Sequence, residues 1–143
     1  MIRYLLDTNI ISNALKPVPS PELADWMERQ VDNALFISAL TVGEVQRGIL
    51  LLPAGRRRRD LESWLAGPVG PQALFLERIL AFDETAAGIW ARLMAEGSAR
   101  GRPRSGLDMV LAATAIANDC IMVTANEKDL TGVTMLNPMK SSH

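Results

Sequence analysis

Cysteine and histidine are nearly absent from the sequence, which excludes two common kinds of catalytic and metal site. The single histidine is His143, and the single cysteine is Cys120, within the apolar stretch CIMVT. A catalytic triad with a histidine base therefore cannot be assembled, and a zinc site built from cysteine and histidine is excluded as well. One cysteine forms no internal disulfide, so we expect Cys120 to be a buried thiol in a protein of a reducing compartment.

Long apolar segments and an excess of charge are also missing. No apolar run approaches the length that crosses a bilayer, and no basic start precedes a signal-like apolar region. We therefore expect a cytoplasmic protein without a membrane partner. The formal net charge is -1, so any binding of nucleic acid would depend on a local basic patch rather than on the field of the whole molecule.

Short apolar runs separated by helical patterns predict the fold class. The runs with the character of buried strands lie at residues 2–6, 34–38, 79–82, 120–124 and 133–136. The main helical patterns lie at residues 8–16, 21–32, 38–53, 54–68, 84–99 and 107–119, with a loop at GSARGRPRSG, residues 97–106. Strands joined by helical crossovers form a parallel sheet covered on both faces. The sequence thus predicts one domain over residues 1–143, a three-layer α/β/α fold around a mainly parallel sheet of four to five strands.

Three acidic residues follow predicted strands or begin predicted helices. Asp7 directly follows the first strand, Glu44 lies early in the helix after the second, and Asp108 lies near the start of an alanine-rich helix. Ligand sites of open α/β sheets lie at the carboxyl ends of the strands, so we expect the three carboxylates at one edge. Clustered, partly buried carboxylates repel one another and are costly to leave unpaired. A hard divalent cation such as Mg²⁺ is therefore the expected partner.

Each acid taken alone also has a purely structural interpretation. Asp7 and Thr8 can cap the helix that follows them, because both side chains accept hydrogen bonds from backbone N–H groups. Glu44 and Asp108 can be first-turn acids that interact favourably with a helix dipole. Their coincidence at one predicted edge is what favours a metal site over separate caps.

Three segments carry a resemblance to a known family. They are YLLDTNIIS, ISALTVGEVQRGI and LDMVLAATAIANDCIMVTANEKDL followed by VTMLNP, and together they span nearly the whole chain. In these segments the sequence resembles the PIN domain, specifically the VapC/FitB-type toxins of bacterial type II toxin–antitoxin pairs. The resemblance implies a metal-dependent endoribonuclease that hydrolyses RNA phosphodiester bonds with a metal-activated water. It also implies a homodimer and a cognate antitoxin, which an exposed apolar face on the helices around residues 42–65 would suit.

The resemblance further assigns roles to individual residues. The ligands it implies for Mg²⁺ or Mn²⁺ are Asp7, Glu44 and Asp108. Asn126 stands where some relatives carry a fourth acid and others an asparagine, which leaves a second tightly held metal in doubt. Asp129 would cap or support the same edge. The side chains expected to orient the ligands and a water are Thr8, Asn9 and Thr124.

Two basic clusters are candidates for contacts outside the metal site. RGRPR, residues 100–104, precedes Asp108. Its side chains Arg100, Arg102 and Arg104 are therefore expected near the acidic edge, either on RNA phosphates or in a solvated loop. GRRRR, residues 55–59, is expected to be a solvated helix start or an antitoxin contact.

Three other functions remain open on the sequence alone. A phosphotransferase of the haloacid dehalogenase type also has an aspartate after its first strand, but it normally needs a second aspartate two positions on, where this chain has Asn9. A catalytically silent binding module could keep the PIN fold. A nuclease acting on DNA could use the same acidic edge.

Overall fold

The computed structural model describes residues 1–130 and 132–140, and His143 lies outside them. The strands are β1 (Arg3–Leu6), β2 (Leu35–Ser38), β3 (Ile79–Leu80), β4 (Cys120–Val123) and β5 (Met135–Leu136). They form one five-stranded sheet in the order β3-β2-β1-β4-β5. Every neighbouring pair is parallel. The structure thus confirms the predicted parallel α/β sheet, with the observed strands shorter than the predicted runs.

The helices of the described chain are α1 (Thr8–Ala14), α2 (Pro21–Glu28), α3 (Ala39–Leu50), α4 (Arg56–Ala66), α5 (Pro71–Leu74), α6 (Glu84–Ala99) and α7 (Gly106–Ala117). Several helix ends differ from the sequence prediction. The helices α1, α3 and α7 end at Ala14, Leu50 and Ala117, each two or three residues earlier than predicted. The second helix ends at Glu28 rather than near Asp32, which begins a short 3-10 turn. The helix predicted over residues 84–99 is confirmed as α6, so only the first three residues of the predicted loop at 97–106 are helical instead.

The two faces of the sheet bury separate parts of the core, because successive side chains of a strand point to opposite faces. Leu5 of β1 packs in one cluster with Met122 of β4, and partly buried side chains of α6 join it. The next residues, Leu6 and Val123, belong to a second cluster. Its helical members on α1 and α2 are Ile10, Ile11, Leu23 and Trp26. Helices therefore cover both faces, which confirms the three-layer α/β/α architecture.

The alanine-rich helix α7 packs deeply in this core. Its buried residues are Met109, Leu111, Ala112, Ala113, Thr114 and Ala115. Cys120 at the start of β4 is also buried, and burial raises the pKa of its thiol, as expected of a core cysteine. Among the described residues, no helix is both long enough and apolar enough to span a membrane.

The strand order reverses direction beside β1. From β1 the chain adds β2 and β3 on one side, then crosses to place β4 and β5 on the other. At this reversal the carboxyl ends of the parallel neighbours β1 and β4 lie side by side. In open α/β sheets that is where the crevice for a ligand forms.

Candidate active site

Asp7 lies at this reversal, immediately after β1, and its side chain is held on three sides. The residue is only 6% exposed and is the N-cap of α1. Its Oδ1 accepts a hydrogen bond of 2.7 Å from the backbone N–H of Thr8. Its Oδ2 accepts one of 2.7 Å from the Thr124 hydroxyl and one of 3.2 Å from Asn9 Nδ2. Asp7 therefore caps α1, as one interpretation predicted, and also presents a buried carboxylate at the sheet edge.

The segment that follows β4 is tied to the start of α1. The Asn9 side-chain carbonyl accepts a hydrogen bond of 3.2 Å from the backbone N–H of Ala125. The Thr124 hydroxyl, which donates to Asp7, accepts one of 2.9 Å from the N–H of Asn126. The ends of β1 and β4 are thus joined by side chains of both segments, and the Asp7 carboxylate has a fixed orientation.

Glu44 on α3 is connected to the same edge through hydroxyl groups. The Thr8 hydroxyl donates a hydrogen bond of 2.6 Å to Glu44 Oε1 and lies 3.0 Å from the Thr41 hydroxyl. Because Thr8 uses its only hydroxyl proton on the carboxylate, Thr41 must donate to Thr8. Ser38, the N-cap of α3, in turn donates to Thr41 at 3.3 Å. The hydrogen bonds run in one direction from Ser38 to Glu44, and such chains strengthen each member.

Asp108 lies in the first turn of α7. Ser105 is the N-cap of this helix, and its hydroxyl accepts a hydrogen bond of 3.3 Å from the Asp108 N–H. Burial raises the pKa of the Asp108 carboxyl, and the negative charges of Asp129 and Glu44 raise it further. Three elements, α1, α3 and α7, therefore begin at one end of the sheet and bring their acids within electrostatic reach of one another.

The buried Asp7 carboxylate shows the same repulsion. Burial raises its pKa most strongly, and hydrogen bonds from Thr124 and Thr8 act against that effect. The charges of Asp108 and Glu44 raise the Asp7 pKa as well. The acids at this edge therefore carry a negative potential that a cation would relieve.

The donor set suits a hard divalent cation more than zinc. The predicted ligands are carboxylates, and the one described thiol, Cys120, is in the core. Within residues 1–130 and 132–140, no three aspartate, glutamate, histidine or cysteine side chains lie close enough together to hold one ion. Magnesium commonly keeps several waters and uses only one or two carboxylates, so the chemistry of the edge fits Mg²⁺ or Mn²⁺ with water completing the coordination.

Asn126 and Asp129 form a pair next to this edge. The Asn126 side-chain amide donates a hydrogen bond of 2.7 Å to Asp129 Oδ2, and Asp129 acts by its charge on Asp108. The structure thus places Asn126 near the acids, with its amide group bound to another side chain. The structure places Asp129 beside this edge, where it accepts from Asn126 and its charge raises the pKa of Asp108.

The basic residues predicted near the site differ in their environments. Arg100 and Arg102 are exposed. Arg104 is largely covered, with a side chain 13% exposed, and it donates a hydrogen bond of 2.7 Å to the Leu93 carbonyl. The other basic cluster begins α4, where Arg58 pairs with Glu62 at 2.7 Å across one helical turn, as on a solvated helix face.

Sequence reasoning did not single out Ser38, Thr41 or Ser105 as contributors to this site. In the structure, Ser38 and Thr41 stand out by their burial, with exposed fractions of 2% and 0%. Ser105 stands out as the N-cap of α7. A signal was present in the spacing, because Ser38, Thr41 and Glu44 recur every three residues and therefore share one face at the start of a helix.

Comparison with known proteins defines the class to which this fold and edge belong. The chain belongs to the PIN-domain family, whose model matches residues 4–133. It is 34% identical over 136 residues to a VapC ribonuclease of Sinorhizobium fredii, covering 94% of this chain and 96% of that protein. It is 34% identical over 120 residues to the toxin FitB of Neisseria gonorrhoeae, covering 84% and 85%.

Solved structures agree with this assignment. The structure of FitAB bound to a DNA fragment matches with a TM-score of 0.88 and 31% identity, covering 100% of this chain and 99% of that one. Within the PIN-domain family the chain is thus similar to the VapC and FitB proteins, which confirms the resemblance carried by its three sequence segments.

Proposed function

We propose that this protein is the toxin of a toxin–antitoxin pair and acts as a metal-dependent endoribonuclease. The observation that carries the proposal is the convergence of Asp7, Glu44 and Asp108 on the edge where the strand order reverses. The acids repel one another, and a bound cation would relieve this repulsion. The similarity to a VapC ribonuclease supports RNA as the substrate.

In this proposal the chain's own residues hold and orient the reacting groups. Asp7 and Asp108 would bind Mg²⁺ or Mn²⁺, with Thr124 and Asn9 fixing the Asp7 carboxylate. Glu44 would be kept in position by the Thr8 hydroxyl. The bound cation would activate a water for attack on phosphorus and offset negative charge on the phosphate oxygens. No side-chain nucleophile is required.

The decisive experiment is cleavage of a labelled single-stranded RNA and of a DNA of the same sequence. We expect the purified protein to cut the RNA with Mg²⁺ or Mn²⁺ and to lose that activity in EDTA. Asp108→Asn should reduce the rate by more than about 100-fold, since even supporting groups of metal sites are commonly worth about 10–100-fold.

The matched control is Asp119→Asn, which makes the same change at an exposed aspartate outside the acidic edge. Its rate should equal that of the unmodified protein. Unchanged cleavage by Asp108→Asn would contradict the proposal, and so would cleavage of the DNA alone. Magnesium binding without any cleavage would instead identify a silent binding module.

The proposed partners are a cognate antitoxin and a second copy of the chain. The similarity to the toxin FitB and to FitAB bound to DNA supports an antitoxin. Leu50 and Leu51 at the end of α3 are 50% and 68% exposed, and they offer an apolar surface within the region expected to contact it. Expression of the chain alone should arrest growth, and co-expression with the gene beside it should restore growth. Light scattering of the purified chain should give the mass of a dimer.

A further inference from the structure

A cavity of about 540 Å³ lies beside the acidic edge. Its walls come from the segment between α6 and α7 and from residues after β4. Four basic side chains line it, Arg100, Arg102, Arg104 and Lys128, against a single acid, Asp129. Its volume is within the range of sites that bind small ligands or parts of larger ones, and its charge is suited to an anion.

Arg104 stabilises the cavity wall. Its guanidinium donates to the Leu93 carbonyl at 2.7 Å and lies 3.7 Å from the Glu96 carboxylate. Gly132 packs so closely against it that an added Cβ would be 3.0 Å from the Arg104 Nη2 atom. The side chain therefore joins α6 to the segment after β4, and its positive charge is largely used within the protein.

Arg100 and Arg102 are different. Both residues are exposed, and neither guanidinium forms a hydrogen bond or ion pair with any part of the chain that the structure describes. Their backbone is nevertheless fixed. The Arg102 N–H donates to the Gly97 carbonyl at 2.9 Å, and a Cβ at position 97 would be 2.9 Å from the Arg102 carbonyl oxygen. Two available cations are thus presented from an ordered loop, which lowers the entropy lost on binding.

The cavity is connected to the acidic edge by hydrogen bonds at two points. Ser105 lines the cavity and accepts from the N–H of Asp108 at 3.3 Å. Asp129 lines it too, and its carboxylate accepts from Asn126 at 2.7 Å. The cavity therefore adjoins Asp108 and Asn126 of the acidic edge.

We propose that this cavity binds a backbone phosphate of the RNA strand next to the bond that is cut, with Arg100 and Arg102 as the main contacts and Lys128 as a third positive charge. The inference rests on the proposed ribonuclease function and adds a substrate-binding subsite to it. Basic side chains outnumber Asp129, and arginine pairs with phosphate through two parallel hydrogen bonds.

The test is the salt dependence of RNA binding in EDTA, where no cleavage occurs. Anisotropy of a short labelled single-stranded RNA would be measured for the unmodified protein, Arg100→Ala, Arg102→Ala and the double variant. Each lost phosphate contact should lower the slope of log affinity against log salt by about 0.7, and the double variant by about 1.4.

The matched control is the double variant Arg56→Ala with Arg57→Ala, which removes the same charge from exposed residues at the start of α4. Its slope should equal that of the unmodified protein. Equal slopes for the Arg100/Arg102 and Arg56/Arg57 double variants would overturn the proposal, because only general charge would then matter. A loss confined to inorganic phosphate binding, or to antitoxin binding, with RNA affinity retained, would overturn it as well.

Cleavage kinetics separate failure of the subsite from failure of the proposed activity. In the Arg100/Arg102 double variant, KM for RNA should rise about tenfold or more while kcat changes little, as expected when uniform binding is removed. If the unmodified protein cleaves RNA and the variant keeps its KM and slope, the subsite is refuted and the activity stands. If RNA binds with the predicted slopes but is not cut with Mg²⁺, the activity is refuted and the subsite stands.

Discussion

The Thr8 hydroxyl donates a 2.6 Å hydrogen bond to Glu44 Oε1, and this bond connects two elements of the acidic edge. Thr8 begins the helix after β1, whereas Glu44 lies on the helix after β2. The bond holds Glu44, a predicted metal ligand, and Thr8 directly follows Asp7, another predicted ligand. Asp7 and Glu44 are therefore positioned together.

Thr8→Val should therefore lower the cleavage rate by about 10–100-fold, the usual effect of losing a group that orients a metal ligand. The valine keeps the shape of threonine but removes the hydrogen bonds to Glu44 and Thr41, so the free energy of unfolding should fall by about 1–3 kcal/mol. Thr85→Val on the exposed side of α6 is the control. Equal rates for the two variants would show that Glu44 needs no such support.

Asp7→Asn should make the metal-free protein more stable at neutral pH. Burial raises the pKa of Asp7 above 3.8, the value of a free aspartate. The stability contributed by this carboxyl is therefore complete below that pH and is lost as the pH rises through the folded-state pKa. Because burial disfavours the charged form of Asp7, asparagine removes a cost that the carboxyl carries at neutral pH.

Urea unfolding in EDTA measures this effect. The difference in free energy of unfolding between Asp7→Asn and the unmodified protein should favour the variant near pH 7 and shrink as the pH falls toward 3.8. A variant that is less stable by the same amount at every pH would mean that the lost hydrogen bonds outweigh the burial of charge. Asp119→Asn supplies the baseline for an exposed aspartate.

Two glycines of α6 should respond oppositely to alanine. At Gly88 an added Cβ meets nothing within 4 Å, so Gly88→Ala should raise the free energy of unfolding by about 0.8–1 kcal/mol through helix propensity. At Gly97 a Cβ would be 2.9 Å from the Arg102 carbonyl oxygen, so Gly97→Ala should lower it by about 1–3 kcal/mol, as overpacking does. Thermal unfolding of both variants checks the prediction, which fails if Gly97→Ala is also stabilising.

The main features of the site follow from its sequence pattern. The short apolar run that stops at Asp7 identifies this residue as the one that follows a buried strand. The alternation of strands and helices then brings Glu44 and Asp108 to the same edge of the sheet. Those inferences need only periodicity and the rule that parallel strands end together. They do not depend on the orientation of any side chain.

Other features depend on packing that a linear pattern does not contain. Arg102 and Arg104 are equivalent in sequence, yet only Arg104 is covered, because its side chain extends to the Leu93 carbonyl. The direction of the hydrogen bonds from Ser38 to Glu44 depends on how α3 is rotated against the start of α1. Helix ends such as that of α2, at Glu28 rather than near Asp32, also differ from the periodic pattern, because terminal residues of a helix are weakly determined by it.

The claim that Asp7 and Asp108 act together in one metal centre is tested most directly by a double-mutant cycle on RNA cleavage. Each of Asp7→Asn and Asp108→Asn should reduce the rate by more than about 100-fold. The double variant should be about as slow as either single one, because residues that act as a unit are not additive. Cleavage at the unmodified rate by either single variant, or losses that multiply in the double variant, would contradict the account.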